Sequence, residues 1–326
     1  MSPAAMRRPA AWLRLPLLSL ALGWTLLLGA ADLDYHLQPV QIAPHSWVFV
    51  GGTDDFSPKN GGNIVNTGFI LTDAGVVVVD TGPSRAYGEQ MLRAIRRITN
   101  APIALVINTH HHPDHFLGNQ AFPPELIAAL PGTREGISKE GESFNENMFR
   151  LVGDWMAGTE VQRPARNLAP GPLPLGKDLL EVLALHGHTG ADAALVDPRD
   201  GVLFASDLVF FQRAPTTPHA RLQDWLASLD TLQARSFRVI VPGHGPVAQG
   251  DTREAPIRQT RRWLGWLDQA FRQAAEDGMD MGEVMNLPLP ADLAGLGVAR
   301  AEYQRSVGHL YPAYEQQALS HPRKRP

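Results

Sequence analysis

The run Thr109-His110-His111-His112-Pro113-Asp114-His115 packs four nitrogen or oxygen donors, His110, His112, Asp114 and His115, into six consecutive positions. It follows residues 103–107, Ile-Ala-Leu-Val-Ile, a nearly continuous apolar stretch of the kind that forms a strand buried on both faces between helical layers. Imidazoles and a carboxylate crowded at the end of a buried strand repel one another as they protonate, and a bound cation removes that conflict. The pattern therefore asks for a fold in which a buried strand ends at a metal-binding edge. In an extended segment alternate side chains share a face, so His110 and His112 point together while His111 points away and is read as a non-ligand.

Cysteine is absent from all 326 residues, which excludes disulfides, a thiolate nucleophile and sulfur-ligated zinc or iron–sulfur sites. Only nitrogen and oxygen donors remain. Arg7, Arg8 and Arg14 are the only charges before Asp32, and residues 15–31 are mostly Leu and Ala. That run is shorter than the roughly 20 apolar residues of a spanning helix, and Gly29-Ala30-Ala31 offers the small residues of a cleavage site. Residues 1–31 are read as a signal peptide that sends the chain to the periplasm, with an uncleaved anchor as the alternative and Arg7-Arg8 leaving a twin-arginine route open. No further apolar span follows, so none is expected after the signal is removed. Residues 32–326 then carry 26 basic and 33 acidic side chains, a formal charge of −7, which argues against a nucleic-acid-binding face.

Short β-branched or aromatic runs at residues 46–50, 63–71 and 75–80, separated by Gly, Asp and Asn clusters, predict a meander of strands. Residues 51–62 between the first two are long for a hairpin loop; they read as a flap carrying Asp55, Phe56 and Lys59, or as a solvated tip. From 84 to 99, Tyr87, Met91, Leu92, Ile95 and Ile98 recur near helical spacing. The second half repeats this grammar, with a strand at 179–185, a hairpin of 193–196 and 202–205, a helix at 222–233 and a strand at 238–241. Two β-rich halves with helices outside predict an α/β fold, a four-layer αββα sandwich. It is read as one domain over 32–326, in which 253–326 form a C-terminal helical region, with a helix at 253–277 and a basic tail at 322–326.

The six-residue metal pattern and four later segments resemble the metallo-β-lactamase superfamily. Those segments are residues 75–82 ending Asp80-Thr81-Gly82, His186-Gly187-His188-Thr189, Ser206-Asp207-Leu208 and Pro242-Gly243-His244-Gly245, all in the family's order. The resemblance implies two zinc ions, one held by His110, His112 and His188 and the other by Asp114, His115 and His244, with Asp207 bridging them. His186 is a rival to His188, and the Gly-His-Thr pattern favours His188. The family's chemistry further implies a hydroxide shared by the two ions that attacks an ester, thioester or amide carbonyl of a small-molecule substrate. Asp114 would be the catalytic residue orienting it, and Asp80 would support the metal loop by hydrogen bonding.

Within the superfamily, an aspartate at 207 resembles the glyoxalase II-like thioesterases rather than the branches that need a Cys ligand. Persulfide dioxygenases share the six-residue pattern but use a single iron; here that triad would be His110, His188 and Asp207, which keeps iron open. Residues 55–68, 81–90, 108–122 and 213–219 resemble the zinc metallohydrolases of quinoprotein relay systems. This implies a quinoprotein dehydrogenase or c-type cytochrome system as partner, or a role as a metal-binding accessory factor in one. His219, in a Pro-bounded loop, reads either as a turn histidine or as one reaching the mouth of the site. His36, His45, His309 and His321 are read as structural or solvated, and Trp155 and Trp225 as helix packing.

Overall fold

The computed structural model describes residues 33–320. The signal-peptide reading for 1–31 and the basic tail at 322–326 lie outside the described residues. Seven strands, β1 (Val40–Ala43), β2 (Ser46–Phe49), β3 (Thr67–Thr72), β4 (Gly75–Val79), β5 (Ile103–Asn108), β6 (Ile127–Ala129) and β7 (Arg166–Asn167), lie side by side in chain order. The first four pair antiparallel and β4 to β7 pair parallel. Parallel neighbours need a crossover. Helices α1 (Arg85–Ile98), α2 (Pro113–Phe116) and α3 (Pro131–Val152) lie within these crossovers.

The second sheet holds β8 (Gly171–Leu175), β9 (Asp178–Leu185), β10 (Asp192–Asp197), β11 (Val202–Phe210), β12 (Val239–His244) and β13 (Ala248–Gln249), in the order β13-β12-β11-β10-β9-β8. Only β11 and β12 are parallel there, joined through α4 (Leu222–Gln233). Helices α5 (Ala255–Asp277), α6 (Met281–Val284), α7 (Ala291–Ala294) and α8 (Ala299–Ser320) follow. Among the described residues no helix is long and apolar enough to cross a membrane.

Strand periodicity divides the apolar residues between three cores. Val77 and Val79 of β4 face the second sheet, meeting the core that contains Leu180, Val182, Leu195 and Phe204. Their neighbours Val76 and Val78 face the other way, into a core with Tyr87, Met91, Ala94 and Ile95 of α1. On the far side Ala194, Val196, Leu203 and Ala205 pack with Trp225 and Leu229 of α4 and Trp263, Leu264 and Leu267 of α5. The layers run helix, sheet, sheet, helix, as the apolar pattern predicts. Ser84 starts α1 by accepting the Tyr87 backbone N–H, which accounts for the helix beginning where the apolar period begins.

Two departures from the strand readings matter for the site. The chain is not in the sheet at residues 63–66 because Asn66 is tied to the β12 end instead. Its backbone N–H donates to the Gly243 carbonyl at 2.7 Å, and its side-chain amide donates to the Pro242 and Gly245 carbonyls at 2.9 and 2.6 Å. Its side-chain oxygen also accepts the Gly51 N–H at 3.0 Å. Replacing Asn66 with alanine would leave buried carbonyls without donors, at about 1–3 kcal/mol each. We expect Asn66→Ala to destabilise the fold by about 2–4 kcal/mol in denaturant titration. An unchanged midpoint would mean that these groups find other partners. The second departure is β11, which continues past residue 205 to Phe210, so that Asp207 sits inside a strand rather than after one.

Candidate metal centre

Asp80 follows β4 with a positive φ of 57°, an unusual conformation for a non-glycine residue. The turn aims its carboxylate back at the metal-motif loop. It accepts the Thr109 N–H, the Thr109 hydroxyl and the His115 Nδ1–H, each at 2.8 Å. His112 then precedes Pro113 at the start of α2, and this short turn swings Asp114 and His115 to the same side. With Nδ1 donating to Asp80, His115 has Nε2 left as its free donor atom. His111 lies on the opposite side of the loop, with Nε2 3.6 Å from Glu140 Oε1 on α3.

His188 enters from the end of β9. Gly187 precedes it at φ 124°, where a Cβ would sit 2.3 Å from the Trp225 Cα, so only glycine allows the close pass under α4. Asp192 braces the turn by accepting the His188 N–H, the Thr189 N–H and the Thr189 hydroxyl. His186 remains exposed, outside the centre. His244, at the end of β12, donates Nδ1–H to the Ile64 carbonyl at 2.8 Å and stacks on Phe210, which leaves its Nε2 facing inward. Gly243 before it admits Asp207: a Cβ there would lie 1.9 Å from Asp207 Oδ1.

These turns converge on Asp207. Its Oδ2 lies 3.3 Å from both His188 Nε2 and His244 Nε2, and 3.8 Å from His110 Nε2, while Oδ1 lies 3.1 Å from His115 Nε2. Asp114 Oδ2 is 3.4 Å from His244 Nε2. The donor atoms fall into two buried groups, His110 with His112, His188 and Asp207, and Asp114 with His115 and His244, each within 4.8 Å. Several of these atoms, His110 Nε2, His115 Nε2 and Asp207 Oδ1, have no properly aligned hydrogen-bond partner although fully buried. Orphaned polar atoms at the same point are costly for a protein to keep, and a cation satisfies all of them together. The donor set fits zinc, or iron, in all-nitrogen and oxygen coordination.

Electrostatics prepare His110, His112, His188 and Asp207 as donors. Burial lowers the His110, His112 and His188 imidazoles, with the neighbouring histidines adding to the effect, and brings His188 to about 3. They are neutral at pH 7, with lone pairs free to ligate. Burial also opposes ionisation of Asp207, but His244 and His115 outweigh it and hold the carboxyl well below its ordinary range. For His115 burial is again the largest influence, and the combined pull of Asp207, Asp80 and Asp114 overcomes it to raise the imidazole well above its usual value.

A cavity of about 300 Å³ opens onto His112, Asp114, Asp207 and His244. Its apolar wall includes Phe56 from the 51–62 loop, Ile64, and Phe144 and Leu151 from α3. Asp55 lines it too, whereas Lys59 is exposed and absent from the wall. Arg213 and Arg305 also reach the cavity, and both are paired with the fully buried Glu302 of α8. Arg305 is bonded to Asp55 as well. Trp225 packs in α4 with its ring 4.9 Å from that of His188. Asn66, Asp192, Glu140 and the Arg213–Glu302 pair have no local sequence signal; only the Thr189-x-x-Asp192 spacing hints at a side-chain-bonded turn.

Residues 60–244 match the sequence profile of the Metallo-beta-lactamase superfamily. Among similar curated proteins is the linear primary-alkylsulfatase of Pseudomonas sp. (strain ATCC 19151), 26% identical over 286 residues, covering 74% of this chain and 54% of that protein. Another is the Beta-lactamase-like protein 2 homolog of Caenorhabditis elegans, 28% identical over 183 residues and covering 56% of each. The chain spans about half the length of these two relatives. A solved metallo-beta-lactamase from Pontibacter korlensis superposes with a TM-score of 0.55 at 21% identity, covering 70% of this chain and 99% of that one. With a profile match over more than half of its length, laid on the sandwich and the converging His/Asp donors described above, this chain belongs to the metallo-β-lactamase superfamily.

Proposed function

We propose that this protein is a binuclear zinc hydrolase acting on an ester, thioester or amide, exported by the leader in residues 1–31. The observation that carries this reading is the pair of buried donor groups, with Asp207 of the first lying 3.1 and 3.3 Å from His115 and His244 of the second. In it His110, His112 and His188 would hold one ion and Asp114, His115 and His244 the other, with Asp207 available to both. Bound there, the ions supply the positive charge that lowers a water's proton affinity toward neutral pH and polarises the bond to be broken.

The chain's own residues do the rest. Asp114 is buried and lines the cavity, so its carboxylate can orient the attacking water, accept its proton and return that proton to the leaving group. Phe56, Ile64, Phe144 and Leu151 hold the apolar part of the substrate and exclude bulk water. Asp80 keeps the 109–115 loop and the His115 ring in place through its three hydrogen bonds. The Pseudomonas relative is named an alkylsulfatase, which supports adding sulfate esters to the candidate substrates. Association with a quinoprotein dehydrogenase or cytochrome c system is proposed from the resemblance of residues 55–68, 81–90, 108–122 and 213–219.

Metal analysis followed by a substrate screen over thioesters, lactones, sulfate esters, β-lactams and persulfides tests the reading. About two zinc ions per chain and turnover of one ester-type class are expected. A single iron with oxygen uptake on a persulfide would replace it with the oxygenase reading, in which Asp114, His115 and His244 would be buried together without a role.

A further inference from the structure

We infer that His219 and Glu140 form a hydrogen-bonded relay that sets the tautomer and ring orientation of His112, and so act as positioning residues for one of the two ions. The inference rests on the metal-centre reading above. His112 Nδ1 lies 2.9 Å from His188 Nε2, inside the first donor group, so this is the nitrogen that faces the centre. Its other nitrogen, Nε2, lies 2.9 Å from His219 Nδ1, and His219 Nε2 lies 3.1 Å from Glu140 Oε2.

One proton arrangement satisfies every atom in this line. A neutral imidazole that offers Nδ1 as a lone pair carries its proton on Nε2. His112 Nε2–H then donates to His219 Nδ1, which must be unprotonated. His219 consequently carries its own proton on Nε2 and donates it to the Glu140 carboxylate. The line ends on a carboxylate that is 40% exposed, so its charge stays solvated and the relay needs no buried unpaired ion.

The backbone is shaped for this contact. Glu140 and Gly136 are one turn apart on the same face of α3. A Cβ at Gly136 would lie 2.6 Å from the His111 Cγ, so the glycine lets the helix come close enough to the loop for Glu140 to reach His219.

The same neighbourhood invites a different reading, a third cation. His111 Nε2 is buried without a partner, and one donor atom each from His111, His112 and His219 lie within 4.8 Å. Proton counting disfavours it. An ion on His219 Nε2 would place the proton on Nδ1, pointing at the Nε2–H of His112. An ion on His219 Nδ1 shared with His112 Nε2 would require His112 to give up its one ring proton and become an imidazolate. The relay leaves the His112 and His219 rings neutral and both of their N–H donors paired, so it is the arrangement compatible with His112 serving the centre through Nδ1.

The test is zinc competition against a chromophoric chelator, resolving the two dissociation constants, for the full chain and for His219→Ala, His219→Gln and Glu140→Ala. Loss of a partner behind a metal-bound histidine typically weakens metal binding about 10–100-fold. His219→Ala is expected to weaken one ion by that factor and leave the other unchanged, and Glu140→Ala, on a half-buried side chain, to weaken the same ion. His219→Gln, whose amide can accept from His112 and donate to Glu140, should recover most of the loss. In proton NMR of the zinc-loaded protein, the slowly exchanging His112 Nε2–H resonance should disappear in His219→Ala and return in His219→Gln. Unchanged affinities in both alanine variants would overturn the relay, as would a third ion in the unaltered protein that those variants lose. Fewer than two ions in the unaltered protein would instead sink the binuclear reading, whereas the relay stands or falls on the shifts caused by the variants.

Discussion

Replacing Asp207 with alanine is expected to reduce hydrolysis by about 10²–10³-fold or more and to leave the protein with fewer than two tightly bound ions. The carboxylate lies within 3.3 Å of donors from both groups, touching His115 through Oδ1 and His188 and His244 through Oδ2. Metal-based charge stabilisation of a transition state is worth several kcal/mol, and each factor of ten in rate corresponds to about 1.36 kcal/mol. Asp207→Asn is the companion variant, since it keeps the volume beside Gly243 while removing the charge. Both effects are read from metal content per chain and from turnover of whichever substrate class the screen identifies. Two ions and full turnover in both variants would show that the two groups work without a shared carboxylate.

Stripping the metals is the second large effect. An ion present at a thousand times its dissociation constant stabilises the folded state by about 4 kcal/mol, and there are two proposed ions. With an unfolding entropy of about 2.1 cal/mol/K per residue, a folded chain of this size shifts by about 1.6 °C per kcal/mol, so chelation should lower the melting temperature by about 10–15 °C, with recovery on adding zinc back. The pH dependence has a definite sign. Ligation requires unprotonated imidazoles, and burial has pushed His110, His112 and His188 below the ordinary histidine value, His188 to about 3. Protons compete for these three ligands only as the pH falls through those lowered values, so the ion they hold keeps its stabilisation below the range where exposed histidines titrate. His115, raised well above the ordinary value, must give up a proton to bind, so the ion it serves weakens first as the pH falls. Calorimetry of the loaded and stripped forms from pH 7 down to pH 4 reads both. Equal melting temperatures after verified metal loss would mean that the cluster holds its shape without ions.

Much of the architecture is legible in the chain because strands with both faces buried are nearly uniform in Val, Ile, Leu and Ala. The run Val76 to Val79 alternates between the inter-sheet core and the α1 core, and Ala193 to Val196 between the inter-sheet core and the α4–α5 core. Helix α3 is the clearest omission. It carries Gly132, Gly136 and Gly141, which lower its intrinsic helix propensity and blur its apolar period, and the structure shows why small residues sit there: Ala191, His111 and Val161 press against those positions. Asn66 was legible only as a strand residue, since its partners at Pro242 and Gly245 lie 176 and 179 positions away.

The donor set divides in the same way. Sequence by itself determined the chemistry. The His/Asp pattern at 110–115, the later motifs at 188, 207 and 244, and the absence of cysteine restrict the centre to nitrogen and oxygen ligands, because ligand type is a property of side chains and their local spacing. Tertiary structure decided the arrangement. It put Asp207 of one donor group against His115 and His244 of the other, set His186 outside, kept Lys59 off the cavity wall and brought Glu140 and His219 behind His112. Contacts between residues 79 and 107 positions apart leave no period or motif in the chain. They exist only once two sheets and their helices have packed and brought the strand ends to one edge.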